Sequence, residues 1–145
     1  MREREAALDV PVVQIPHLVK AVGPGWHAVL NRLHEQLAAR RPTYRATGVK
    51  EKFGGLRIPV DAGERAAREA AAPLVRAAEA WAGVLCGFYA GPGRVRSRDD
   101  APTGGLKTVC GGCHRAWTAR EIMIVSGVVR SYGRGRGGLT VSGGN

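Results

Sequence analysis

The spacing of three cysteines constrains this chain more than any other feature. Cys86 stands alone, whereas Cys110 and Cys113 form a Cys-x-x-Cys pair further along. A cysteine in place of Tyr89 would complete two such pairs at the spacing of a four-cysteine zinc site. Two residues between thiolates let a tight turn aim both sulfurs at one ion, and two such turns close a tetrahedron. The sequence therefore predicts a module with three of four zinc ligands: Cys86, Cys110 and Cys113.

The missing fourth ligand leaves several interpretations open. His114 could complete the site, although it adjoins Cys113 and neighbouring residues rarely both reach one ion. Asp99, Asp100 or His17 could instead supply the fourth metal ligand, or a water molecule could occupy that position. Alternatively, the module has lost its metal and Tyr89 packs as an aromatic plug. A thioredoxin-like role for the Cys-x-x-Cys pair is a third interpretation, but no βαβ pattern accompanies it.

Charge and composition narrow the class of protein. The chain has 145 residues, with 22 Lys and Arg against 12 Asp and Glu, for a net charge of +10. An odd, small number of cysteines excludes a disulfide-stapled secreted scaffold. The first residues carry no apolar signal-peptide core. The apolar stretches Trp81 to Ala90 and Ile122 to Val129 are far shorter than the ~20 residues of a membrane helix. We expect a cytoplasmic bacterial or phage protein.

Two patterns in the first half predict a helix and a hairpin. Apolar side chains recur at helical spacing over residues 25–40, ahead of an Arg-Arg-Pro stop. They are Trp26, Val29, Leu30, Leu33 and Leu37. Apolar and charged residues then alternate between residues 49 and 60, which is typical of two paired strands. Gly54 and Gly55 are predicted to form the turn, with Phe53 and Leu56 packed inside.

A second helix is predicted over the alanine-rich residues 62–82. Asp61 and Glu64 have the spacing of a capping box, and Pro73 should kink or divide the helix. The order helix, hairpin, helix predicts an α+β fold. The expected organisation is an N-terminal arm over residues 1–22 with an extended segment at Val10 to Ile15, a helix–hairpin–helix body over 23–82, a zinc-ribbon-like module over 83–117, and a short apolar segment with a flexible Gly/Arg-rich tail over 118–145.

The positive charge is concentrated in the C-terminal third. Residues 94–145 hold nine basic and three acidic side chains, against thirteen and nine in residues 1–93. Excess positive charge favours nucleic acid without giving sequence specificity. The candidate contacts are Lys50, Lys52 and Arg57 around the hairpin turn, Arg94, Arg96 and Arg98 on one face of an extended segment, and Arg134 and Arg136 in the tail. Solvated surface charge and the codon bias of a GC-rich genome are the competing explanations.

Four motifs together resemble a family of small uncharacterised bacterial and phage proteins. They are Gly25-Trp26, Lys50-Glu-Lys-Phe-Gly-Gly-Leu-Arg57, Pro92-Gly93 and Lys107-Thr-Val-Cys110, in that order. The resemblance covers about residues 23–114 and implies a helix, a hairpin, a second helix and a terminal zinc ribbon. Cys86 and Cys110 match the ligand positions of the family. Tyr89 stands where a second cysteine is usual and Cys113 where a histidine is usual, and the resemblance implies no activity.

No catalytic spacing is recognisable, so an enzyme is the least supported class. The sequence lacks a phosphate-binding loop, an HExxH motif and a GxSxG motif. We therefore expect a non-catalytic, basic accessory protein of phage or mobile-element type that binds DNA, RNA or a nucleoprotein assembly. The alternative is a protein-interaction module of the immunity or adaptor type, whose hairpin and first helix would face an acidic partner.

Overall fold

The computed structural model describes residues 13–98, 105–132 and 139–142, and it confirms the α+β class in that part of the chain. The helices are α1 His27–Arg40, α2 Arg65–Ala82 and α3 Gly111–Thr118, with 3-10 turns at Ile15–Ala21 and Pro24–Trp26. The strands are β1 Arg45–Ala46, β2 Lys50–Lys52, β3 Gly55–Arg57, β4 Val60–Asp61, β5 Arg94–Ser97, β6 Leu106–Val109, β7 Ile122–Val125, β8 Val128–Tyr132 and β9 Leu139–Ser142.

Among the described residues, every strand pair is antiparallel. β1 pairs with β4, β2 with β3 and β5 with β6, while β7, β8 and β9 form a three-stranded sheet. The sequence did not predict β9. Of the expected extended segment, Val13 bridges Ala46, whereas Val10 and Pro11 lie outside the described residues. No described helix has both the length and the apolar character needed to cross a membrane.

The first core forms around α1, as the helical spacing predicts. Trp26, Leu30 and Leu33 are essentially inaccessible to solvent, and α2 packs alongside α1 through Ala71 and Ala78. α2 is one continuous helix although it contains Pro73, so the proline does not divide it, and the alternative of a kink stays a prediction.

The predicted capping box at the start of α2 is wrong. The helix begins at Arg65, and no side chain caps it. Asp61 instead ends β4, where its Oδ1 accepts a hydrogen bond from the Gly63 N–H at 2.8 Å. Its Oδ2 lies 3.1 Å from Nη2 of Arg45 on the paired strand. The Asp61 carboxylate is therefore bonded to a local turn and to a cross-strand arginine, and it does not cap the helix.

The predicted hairpin is present, but its turn lies one residue earlier than expected. Lys52 pairs with Gly55, so the two turn residues are Phe53 and Gly54. Their φ angles are 54° and 79°, which suits a turn with both central residues in the left-handed region. This shift overturns the expectation that Phe53 packs inside: the ring is 74% exposed, whereas Leu56 is fully buried.

A second core lies beneath β5, β6, α3 and the β7–β8 hairpin. Its largest members are Phe88, Val109, Trp117 and Val129, and two of the three cysteines, Cys86 and Cys113, belong to it. The 3-10 turn before α1 contacts this second core region directly. The Gly25 N–H donates to Gly87 O, and Trp26 Nε1 donates to Leu85 O, each at 3.0 Å. The two cores therefore meet at the turn that carries Cys86.

Candidate metal centre

The chain around Cys86 folds back on itself as a tight turn. The Cys86 N–H donates to Gly91 O at 2.6 Å, and the Ala90 N–H donates to Cys86 O at 2.8 Å. Leu85 then bridges Pro92 in antiparallel fashion. The 3-10 turn before α1 approaches this turn closely, since a Cβ added to Gly25 would lie 2.0 Å from Cys86 O. Only glycine fits before Trp26, because any side chain there would clash with the backbone of the Cys86 turn.

The other two cysteines sit where β6 passes into α3. Cys110 is the N-cap of α3, and its Sγ accepts a hydrogen bond from the Cys113 N–H at 3.3 Å. The Cys-x-x-Cys spacing thus places both sulfurs at the first turn of the helix, where N–H groups and the helix dipole stabilise negative charge.

The three sulfurs that the sequence predicted as ligands come together. Sγ of Cys86, Cys110 and Cys113 all lie within 4.8 Å of one another. Sulfurs bound to one Zn²⁺ at about 2.3 Å stand about 3.8 Å apart in a tetrahedron, so a small adjustment brings all three to one ion. Cys86 and Cys113 are buried and Cys110 is half-buried. The arrangement can hold a metal ion with three thiolates.

No further protein ligand joins these sulfurs within the residues that the structure describes. His114, the first alternative, directs Nε2 to Ser97 O at 2.8 Å, and neither it nor His17 belongs to the cluster. Asp99 and Asp100 lie outside the described residues. Tyr89 is 42% exposed, and the aromatic side chain buried in this turn is its neighbour Phe88.

The thiols of the cluster differ in acidity. Burial raises the pKa of Cys110, but hydrogen bonds from the N–H groups of Cys113 and Gly112 and from the other two thiols outweigh it and leave this pKa below its usual value. Burial, followed by repulsion from Cys86, raises the pKa of Cys113. A buried cluster of three thiolates needs a cation to balance its charge, which is what a bound metal supplies.

The hairpin motif contributes to the same region by docking on β6. Thr108 Oγ1 donates to Gly54 O at 2.7 Å, and Lys107 Nζ lies 3.1 Å from Glu51 Oε1. A Cβ on Gly54 would lie 3.3 Å from the backbone of Leu106 and Lys107, so the tip is close-packed there. The sequence did not reveal this contact, because the partners are more than fifty positions apart.

The three arginines predicted to share one face lie on β5 and at the residue after it, and two of the three are held internally. Arg94 and Arg96 share one face of β5. Arg96 Nε donates to Val109 O at 3.1 Å, and the Arg98 guanidinium stacks 4.8 Å from the Trp117 ring. Arg94 is exposed. These partners, all within the described part of the chain, are carbonyl groups and a ring, which carry no negative charge.

The remaining candidate cations divide into two groups. Lys50 and Lys52 are exposed on the outer face of the hairpin, and Arg57, opposite Lys50, donates through Nη1 to Leu56 O at 2.9 Å. Arg134 and Arg136 lie outside the described residues.

No family model, curated protein or solved structure matches this chain.

Proposed function

We propose that this chain is a non-catalytic nucleic-acid-binding protein whose basic unit, residues 83–132, is organised around a structural zinc ion. The observation that carries the proposal is an imbalance of charge. By sequence this unit holds seven Lys and Arg side chains against three carboxylates, those of Asp99, Asp100 and Glu121. Such an excess attracts the phosphate backbone and releases its counterions on binding. The seven cations are Arg94, Arg96, Arg98, Lys107, Arg115, Arg120 and Arg130.

The donor chemistry supports zinc in the role of a structural ion. Thiolates in a Cys-x-x-Cys turn at a helix start are preferred zinc ligands, and Cys86 adds a third from a separate turn. Together they would tie the end of α2 to β6 and α3. Water, or a side chain outside the described residues, completes the coordination in this proposal. We expect close to one equivalent of zinc in protein purified without added metal, and less than about a tenth of an equivalent would end the zinc proposal.

The missing ligand gives a gain-of-function test of the site. Tyr89 occupies the position three residues after Cys86, so Tyr89→Cys would offer a fourth thiolate. We expect this variant to hold zinc more tightly against a competing chelator than the parent chain does. Val84→Cys is the control, since it adds an exposed thiol outside the Cys-x-x-Cys spacing. Equal retention by the two variants would contradict the proposed site.

Nucleic-acid binding is tested by fluorescence anisotropy with labelled DNA and RNA over a range of salt concentrations. We expect affinity to fall linearly with the logarithm of salt. Arg94→Gln should weaken binding and reduce the slope on duplex DNA by about 0.9, the contribution of one phosphate contact. Arg76→Gln is the matched control, because it removes one exposed arginine from α2 in the other unit. Absence of binding to DNA and RNA at low salt would refute the function.

One observation favours protein interaction as a second candidate function. A groove of about 340 Å³ runs between α1 and α2, with Leu33 and Ala77 in its lining and the 40% exposed Trp81 at its edge. Affinity purification from the native host separates the two functions. Nuclease treatment should abolish co-purification of partners under the nucleic-acid function and leave it intact under the second.

A further inference from the structure

The most exposed of the large apolar side chains in the described part of the chain is Phe53, at the tip of the β2–β3 hairpin. Its ring is 74% exposed, although an alternating pattern in the sequence would place it inside. Burial of a phenylalanine side chain is worth about 1.5–3 kcal/mol, so leaving it in water forgoes a sizeable stabilisation. An exposed aromatic ring of this kind is a feature that a binding surface uses.

The backbone at Phe53 is strained as well as exposed. Its φ angle is 54°, in the left-handed region, where bulky side chains are uncommon and asparagine or glycine is favoured. The other turn position is a glycine, Gly54, which adopts its φ of 79° without strain. Phenylalanine at this turn therefore stabilises the fold neither by packing nor by its backbone preference. Backbone strain of this kind clusters at ligand-binding sites.

The tip is fixed in place by contacts from β6. Thr108 Oγ1 donates to Gly54 O at 2.7 Å, and the half-buried Lys107–Glu51 ion pair closes the inner side of the hairpin. The two hairpin residues held by these contacts, Glu51 and Gly54, lie on either side of Phe53 in the sequence. The ring therefore projects from an anchored support, which lowers the entropic cost of holding it against a ligand.

One cation lies over the ring, and two more lie further along the same hairpin. Lys52 Nζ lies 5.7 Å from the centroid of the Phe53 ring, and Lys50 and Arg57 face each other across the same outer side of the hairpin. The one carboxylate of this hairpin, Glu51, points the other way and is paired with Lys107. The outer side thus offers an aromatic face beside three positive charges, without a neighbouring acid from the hairpin itself.

We propose that the hairpin tip is a binding site for single-stranded nucleic acid, in which one unstacked base stacks on the Phe53 ring. Lys50, Lys52 and Arg57 contact the adjoining phosphates. This inference rests on the proposed nucleic-acid function and names its substrate class. Stacking on an exposed ring requires a base with a free face, which a single strand offers and a duplex interior does not.

The probe that isolates stacking is a pair of labelled strands about twelve nucleotides long, a length within one typical single-strand site. One is oligothymidylate, and the other carries the same phosphates with abasic sugars. Phe53→Leu keeps an apolar side chain on the same strained backbone but removes the π face, whereas Phe53→Tyr keeps the ring. We expect Phe53→Leu to weaken oligothymidylate binding about fivefold or more and Phe53→Tyr to retain it.

Two control measurements separate stacking from charge. Phe53→Leu should leave binding to the abasic strand and to duplex DNA unchanged, and its salt slope should equal that of the parent. Lys50→Gln should instead lower the single-strand slope by about 0.7 on both single-stranded probes.

The outcomes distinguish this inference from the function on which it rests. If the protein binds no nucleic acid, the proposed function fails and the inference with it. If it binds, but Phe53→Leu and Phe53→Tyr behave alike or the loss is as large on the abasic strand, only the inference is overturned. Loss of a nuclease-resistant protein partner on Phe53→Leu, with nucleic-acid binding unchanged, would assign the tip to protein recognition and likewise overturn it.

Discussion

At the scale of single residues, Phe53 shows where sequence periodicity stops being informative. Alternation fixes which residues of a strand share a face, but it does not fix where the strand ends. Two adjacent glycines made Gly54 and Gly55 equally good turn positions, and the structure uses Phe53 and Gly54 instead. Docking of Gly54 on β6 selects the register, and that contact depends on a distant part of the chain.

Relief of the strain at Phe53 is expected to stabilise the fold. Phe53→Asn places a residue that tolerates the left-handed region at a φ of 54° and exposes no additional core, since the ring is already in water. We expect the free energy of unfolding to rise by about 1 kcal/mol in urea titrations. Phe53→Leu is the control and should not gain, because leucine meets the same backbone strain. A loss of stability in the asparagine variant would show that the ring supports the fold.

At the scale of elements, helices were more predictable than turns and caps. The stripe from Trp26 to Leu37 predicts α1 because burial on one face repeats at the helical period, and no other part of the chain is needed. The Asp61 capping box failed because a cross-strand partner, Arg45, competes for the same carboxylate. The cysteine spacing predicted the Cys110–Cys113 part of the thiol cluster for a local reason too, since a Cys-x-x-Cys turn at a helix start brings its sulfurs together by itself, whereas Cys86 joins them from a separate turn.

The contact between the β2–β3 hairpin and β6 is testable with two threonines. Thr108 Oγ1 donates to Gly54 O, whereas the buried Thr118 Oγ1 has no hydrogen-bond partner within the described structure. We expect Thr108→Val to lower the free energy of unfolding by about 1–2 kcal/mol, because a buried carbonyl loses its donor. Thr118→Val should stay within about 0.5 kcal/mol of the parent or gain stability. Urea unfolding of both variants measures the difference, and equal effects would mean that the hairpin contact adds nothing.

At the scale of the whole molecule, two cores share one boundary. The Cys86 turn belongs to the second core, but the 3-10 turn before α1 supports it through Gly25 and Trp26, and the hairpin contacts β6. The Gly25-Trp26 motif, the hairpin motif and the cysteine motifs are therefore in contact around the Cys86 turn and β6, although they are far apart in the sequence. Sequence reasoning could find each motif but not the contacts between them, because these contacts join residues more than fifty positions apart.

Removal of the proposed metal should therefore destabilise both cores together. With zinc at about a hundred times its dissociation constant, binding contributes about 2.7 kcal/mol, which corresponds to about 5–10 °C in Tm. We expect a zinc chelator to lower the Tm by that amount while leaving a single transition. Far-UV circular dichroism follows the helices, and tryptophan fluorescence follows all three tryptophans, of which Trp26 lies in the first core and Trp117 in the second. Separate transitions by the two probes would show that the cores unfold independently.

The hydrogen bond from Trp26 Nε1 to Leu85 O also bears on when this protein can fold during its synthesis. It spans 59 positions, and the Thr108–Gly54 bond spans 54, so the first helix and the hairpin wait for partners that leave the ribosome much later. Contacts of such long range slow folding, because loop closure precedes the stabilisation that the contacts give. Until Val109 and the cysteines beyond it emerge, the nascent chain exposes the surfaces that these contacts later cover, and exposed apolar surface of this kind favours aggregation.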